Sequence, residues 1–173
     1  EEFLEGDIKE SPSVQCRVTP TGDLEIISTH DQELGGESGQ VYFGAHFPAA
    51  VDYAVELGEM GLKVAAALKE RGVLGRFAVD FISVKEKEGW KHFPIEINLR
   101  KGGTTHPFLM LQFLTDGRYN IEDGKYYTSK GHLVRYYFCS DNLKSDNYKG
   151  LSPHDLIDIA MVNDLHYDGT SQE

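Results

Sequence analysis

The chain is poor in cysteine, in long apolar runs and in positive charge, and each shortage excludes something. Its two cysteines, Cys16 and Cys139, lie far apart and form no CxxC pair, which fits a reducing cytoplasm rather than a disulfide framework. No apolar run approaches the ~20 residues needed to cross a bilayer, so no membrane partner is expected. Seventeen Lys and Arg stand against 28 Asp and Glu, a net charge of −11. Such a surface repels phosphate backbones and argues against nucleic acid. It leaves room for a nucleotide, whose phosphates arrive with magnesium. Neither GxxxxGK[ST] nor GxGxxG occurs, which removes the two commonest glycine-rich phosphate loops. Internal repeats, low-complexity tracts and dividing linkers are also lacking.

What is present suits one globular unit. The chain has 173 residues, 40% hydrophobic and 26% charged, enough for a core of its own. Residues 13–18 alternate as a strand, Thr21-Gly22 signals a turn, and residues 24–29 form the return strand. Cys16 falls on the core side of that alternation. The polar, glycine-rich stretch 30–40 reads as a loop, and 41–45 as a short strand. Residues 48–72 show the clearest helical spacing, with Gly72 as a cap and Gly58 and Gly61 marking a close contact or a break. Two strands (75–84 and 93–99) and a short apolar helix (106–113) follow. Residues 117–131 are turn-rich and aromatic, 133–139 form a strand and 141–150 a polar loop. A last helix, N-capped by Ser152 before Pro153, runs to about residue 165. The chain opens on Glu1 and closes on DGTSQE, which suggests a piece of something longer.

The densest chemistry lies in 77–107, which reads FAVDFISV, KEKEGWKH, FPIEINLRKGGTTHP. Alternation puts Phe77, Val79 and Phe81 on one face and Asp80 on the other. On the second strand Ile95 and Ile97 share a face, with Glu96, Asn98 and Arg100 opposite. A hairpin centred near Glu88 sets Asp80 almost across from Glu96, where like charges repel. A hard divalent cation held by Asp80, Glu96 and Asn98 resolves the conflict, since magnesium takes few protein carboxylates and completes its shell with water and phosphate. The plainer alternative is a solvated hairpin face with Glu96 paired to Lys91 or Arg100.

GRFAVDF followed after a short turn by EINLR resembles the second, C-terminal lobe of the ATP-grasp superfamily, and the resemblance spans nearly the whole chain. It implies that Asp80, Glu96 and Asn98 bind Mg2+ bridging the phosphates of ATP, and that Arg100 contacts phosphate or the reacting acyl group. Other members carry an arginine where this chain has Ala78, so Arg100 or Arg76 must supply that charge. EEFL at residues 1–4 resembles the hinge that grips adenine. Glu1 or Glu2 would accept from the exocyclic amine, the backbone around Phe3 and Leu4 would meet the ring, and Glu10 would bind ribose. On composition alone such a stretch is more often a solvated acidic loop.

KGGTTHP follows the metal strand. Gly102 and Gly103 allow close backbone approach, Thr104 and Thr105 add hydroxyls, and a helix N-terminus opens there, which together suit an anionic acyl substrate. A tight strand-to-helix turn would also need glycines. His30, at a strand end, would border the acceptor site or serve structure alone. Together with STHDQ, FPA and the later YYFCSDNLKSDNYKGLSPHDLID, these motifs are similar to ATP-grasp peptide ligases of the pheganomycin-biosynthesis type. The resemblance implies an α+β fold, a mostly antiparallel sheet carrying helices 48–72 and 106–113 on one side. It also implies ATP-dependent joining of a carboxylate substrate to an amine, from an amino acid or peptide, through an acylphosphate. Residues 1–173 would then be the C-terminal lobe of an enzyme whose N-terminal lobe is missing here, inactive alone. A non-catalytic nucleotide-binding or assembly domain and a carboxylase-type ATP-grasp enzyme are the competing expectations.

Overall fold

The computed structural model describes residue 4, residues 6–129 and residues 134–164. In chain order the strands and helices are β1 (Ile8–Glu10), β2 (Pro12–Val18), β3 (Leu24–Gly35), β4 (Val41–Phe47), α1 (Ala54–Glu70), β5 (Gly75–Glu86), β6 (Gly89–Asn98), α2 (Thr105–Thr115), β7 (Arg118–Asn120), β8 (Lys125–Tyr127), β9 (Tyr137–Ser140) and α3 (Pro153–Val162). Seven strands form one antiparallel sheet, and β7 and β8 pair as a separate hairpin. No helix among the described residues is long and apolar enough to cross a membrane.

Register explains how the sheet is built. β2 pairs with residues 75–80 of β5, while β1 pairs with residues 83–85 of the same strand. The two short strands therefore run end to end along one edge of β5, and β6 takes the other edge. Pro94 sits at the irregularity where Asp80 pairs with Glu96 and Phe81 with Pro94, a position where the missing N–H costs no ladder bond.

The alternation of β2 separates two layers. Val14, Cys16 and Val18 are fully buried beneath α1 with Phe77, Val79, Phe81 and Leu57. A methyl group at Gly61 would lie 2.7 Å from Val14 Cγ1, 3.2 Å from Ile26 Cδ1 and 3.4 Å from the Cys16 sulfur. The mid-helix glycines thus mark close packing, not a break. Burial pushes the Cys16 thiol up to about 12, so it stays a neutral core residue. A second cluster joins Phe47, Phe108 and Tyr126, with Ile27, Leu111, Tyr119 and Tyr137 against it. Here α2 packs on the opposite sheet face, because Phe108 meets His30 and Phe47 edge-on and His30 is in register with Ser13, not with Val14. The two helices therefore lie on opposite faces, not on one side. The reason is long-range: α2 crosses over the sheet to find aromatic partners on β4 and β9.

Two further expectations change. Residues 30–35 continue β3 instead of starting a loop, since β4 supplies partners from Asp31↔His46 to Gly35↔Val41. The first helix begins at Ala54, not Pro48, because Asp31 accepts from the Ala50 N–H (2.8 Å) and the Tyr53 hydroxyl (2.7 Å), tying the preceding segment to β3. α3 starts where expected, with a complete capping box between Ser152 and Asp155.

Candidate functional site

The hairpin β5–β6 brings the expected cation set together. Asp80 lies directly across from Glu96 in the ladder, and Asn98 across from Ala78. All share the face away from α1. Asn98 Nδ2 donates to Asp80 Oδ2 at 2.9 Å, and Ser13 Oγ donates to Asp80 Oδ1 at 2.6 Å. Burial holds the Asp80 carboxyl above its usual range and the neighbouring Glu96 charge adds to that, while the bonds from Ser13 and Asn98 and the Arg100 charge pull it back. Glu96 is exposed and Asp80 and Asn98 are half-buried, so this end of the face stays open while α2 covers the rest.

The donor set fits a magnesium ion. Two carboxylates and one amide oxygen are few enough to leave most positions to water and phosphate. The repulsion between Asp80 and Glu96 is what a cation would relieve. Among the described residues no three His, Cys, Asp or Glu side chains gather as a metal cluster. Of the two arginines that could replace the one missing at Ala78, Arg100 is the one whose charge acts on Asp80. Its Nη1 donates to the Lys101 carbonyl at 3.3 Å.

The turn after β6 divides its work. Gly102 has open space around its α-carbon, whereas a methyl at Gly103 would meet the Tyr42 ring at 2.7 Å. Gly103 is therefore needed for packing, and only Gly102 offers room for a ligand. Thr105 Oγ1 accepts from the Gly102 N–H at 3.1 Å and so braces the turn. Thr104 Oγ1 is buried and has no hydrogen-bond partner among the described residues.

Two expected positions do not line the open site. Glu10 pairs with Ser83 on the α1 side of the sheet, where burial and then the charges of Asp31 and Glu33 raise its carboxyl. The structure does not bring it to the Asp80 face. His30 is on that face, but it is wholly buried under Phe47, Phe108 and Tyr137, with Nε2 2.9 Å from the Tyr137 hydroxyl. It is packed inside and touches no open surface. Glu1, Glu2 and Phe3 lie outside the described residues, and Leu4 is half-buried outside any strand. Conversely, Ser13 and Gln15 were not singled out from sequence. Their signal was the alternation in PSVQCRV, which places both on the polar face of β2.

Comparison with known proteins gives the same frame. The family model described as IQCH-like, ATP-grasp matches residues 3–122. The L-propargylglycine--L-glutamate ligase of Streptantibioticus cattleyicolor is 31% identical over 167 residues, covering 96% of this chain and 33% of that protein. The chain thus spans about a third of the curated relative it matches. Among solved structures, N5-carboxyaminoimidazole synthetase from Staphylococcus aureus, complexed with ADP, shares the fold at a TM-score of 0.50 and 18% identity, over 72% of this chain and 30% of that one. Pyruvate carboxylase from Rhizobium etli does so at 0.52 and 18%, over 67% and 11%. A family match over more than half of its length establishes that this chain belongs to the ATP-grasp family.

Proposed function

We propose that the complete protein is an ATP- and magnesium-dependent carboxylate–amine ligase and that residues 1–173 form its metal-binding, C-terminal lobe. One observation carries this reading: Asp80 and Glu96 stand side by side on an open sheet face, with Asn98 bonded to Asp80. The similar ligase is named for two amino acids, which supports a carboxylate donor and an amine acceptor of amino-acid or peptide type. Asp80, Glu96 and Asn98 would hold the magnesium, which when bound neutralises charge developing on the phosphates. Arg100 clamps phosphoryl or acylphosphate oxygens. Gly102 and the α2 N-terminus receive the acyl end, with Thr105 bracing the turn. Glu1, Glu2, Phe3 and Leu4 form the adenine segment. A substrate carboxylate oxygen attacks the γ-phosphorus, ADP leaves, and the amine then displaces phosphate from the acyl carbon and loses a proton.

The test supplies the complete protein with ATP, Mg2+ and candidate amino acids and follows ADP release. Asp80→Asn and Glu96→Gln are each expected to lower turnover by about two orders of magnitude. Release unchanged by both would remove the metal assignment. Release that needs bicarbonate instead of an amine would replace the ligase by a carboxylase, and nucleotide binding without release would leave a binding domain.

A further inference from the structure

We propose that Ser13 and Gln15 are positioning residues that aim the Asp80 carboxylate at the cation. The inference rests on the magnesium reading above and deepens it, adding two residues of a different strand. Hydrogen-bond direction is forced along the chain of contacts. Gln15 Nε2 has no acceptor function, so it donates to Ser13 Oγ at 3.3 Å. The single Ser13 proton is then free to go to Asp80 Oδ1, 2.6 Å away. Asn98 Nδ2 donates to the other oxygen at 2.9 Å. With one donor on each oxygen, the carboxylate cannot turn without losing a bond. Each oxygen keeps a lone pair for a ligand on the open side.

The placement of the pair supports this role. Ser13 is 2% exposed and Gln15 6% exposed, so neither touches substrate. Ser13 is in register with Asp80, and Gln15 with Ala78, which lies in turn across from Asn98. The small Ala78 side chain separates the two amides, and both lean into the Asp80 row. The arrangement is that of an outer shell, in which a buried partner orients a ligand that it does not replace.

Mn2+ serves as the probe, with its binding to the complete protein measured by electron paramagnetic resonance in the presence of ADP. The Mg2+ concentration giving half-maximal ADP release and kcat are measured beside it, and thermal unfolding reports folding. Ser13→Ala is expected to weaken Mn2+ binding about tenfold, to raise the Mg2+ requirement by the same factor, and to leave kcat at saturating Mg2+ nearly unchanged. Ser13→Thr keeps the hydroxyl and retains wild-type binding. Gln15→Glu presents an acceptor to Ser13, draws the proton away from Asp80 and gives a weakening like that of Ser13→Ala. This variant carries the test should Ser13→Ala fail to fold. Wild-type Mn2+ binding in Ser13→Ala and Gln15→Glu, with binding lost in Asp80→Asn, would overturn the positioning role and leave the metal site standing. Wild-type binding in Asp80→Asn would instead remove the site itself, and this inference with it.

Discussion

At the scale of single residues, charges and buried polar groups set the behaviour of the molecule. His30 is wholly buried, and that burial lowers its imidazole to about 3. In the unfolded chain the same group titrates at ~6.5. Between those values the unfolded chain binds the extra proton, so stability is complete above pH 6.5 and falls as pH drops toward 3. The expected loss is about 2 kcal/mol between pH 6.5 and 5, with His92, also lowered by burial, adding in the same direction. Denaturant titrations at both pH values check this, and His30→Phe should flatten the dependence. An unchanged slope in that variant would show that His30 is not its source. Glu96 gives the opposite kind of test. Without divalent ions, Glu96→Gln should raise stability by about 0.5 kcal/mol, because it removes a like charge opposite Asp80. Added Mg2+ and nucleotide should reverse the order. The acidic pair was readable from sequence because both partners lie on strands joined by one short turn. Ser13 was not, because its contact with Asp80 bridges 67 residues.

At the scale of elements, packing overrides propensity. α1 keeps glycine at 58 and 61, where the helix would otherwise gain about 1 kcal/mol from alanine. Gly61→Ala would drive a methyl onto the stiff, buried Val14 side chain, and the expected outcome is a net loss of about 1 kcal/mol. A higher melting temperature in this variant would show that the sheet yields. α3 is the reverse case: its residues are largely exposed and its start rests on local bonds. Ser152 Oγ accepts from the Asp155 N–H at 3.3 Å, and Asp155 Oδ2 accepts from the Ser152 N–H at 2.6 Å. Ser152→Ala should cost this helix about 1 kcal/mol, seen as faster amide exchange over residues 153–162 with the sheet unaffected. That start was legible because capping is decided within four residues. The extension of β3 through residue 35 was not, because polar side chains in THDQEL mask a strand whose pairing is supplied by β4.

At the scale of the whole molecule, one sheet carries two separate aromatic and aliphatic cores, and the open part of its second face is the proposed site. α2 connects these features, since its first residues brace the Gly102 turn and its Phe108 is seated among Phe47, His30 and Tyr126. Phe108→Leu should therefore lower stability by about 1–2 kcal/mol and accelerate amide exchange at residues 102–105, the turn that leads into the helix. Exchange confined to the second core would show that the turn is held by its own bonds alone.

Sequence by itself determined the local matters: which residues alternate, where a helix is capped, and that two carboxylates and an amide fall on one face of neighbouring strands. These follow from periods of two and 3.6 and from contacts within a few residues. Only the tertiary structure decided that α1 and α2 take opposite faces, that Glu10 turns away from Asp80, that His30 is sealed in, and that Ser13 bonds Asp80. Each of these depends on which distant strands pair and in what register, because sheet hydrogen bonds join residues with no regard to their separation along the chain.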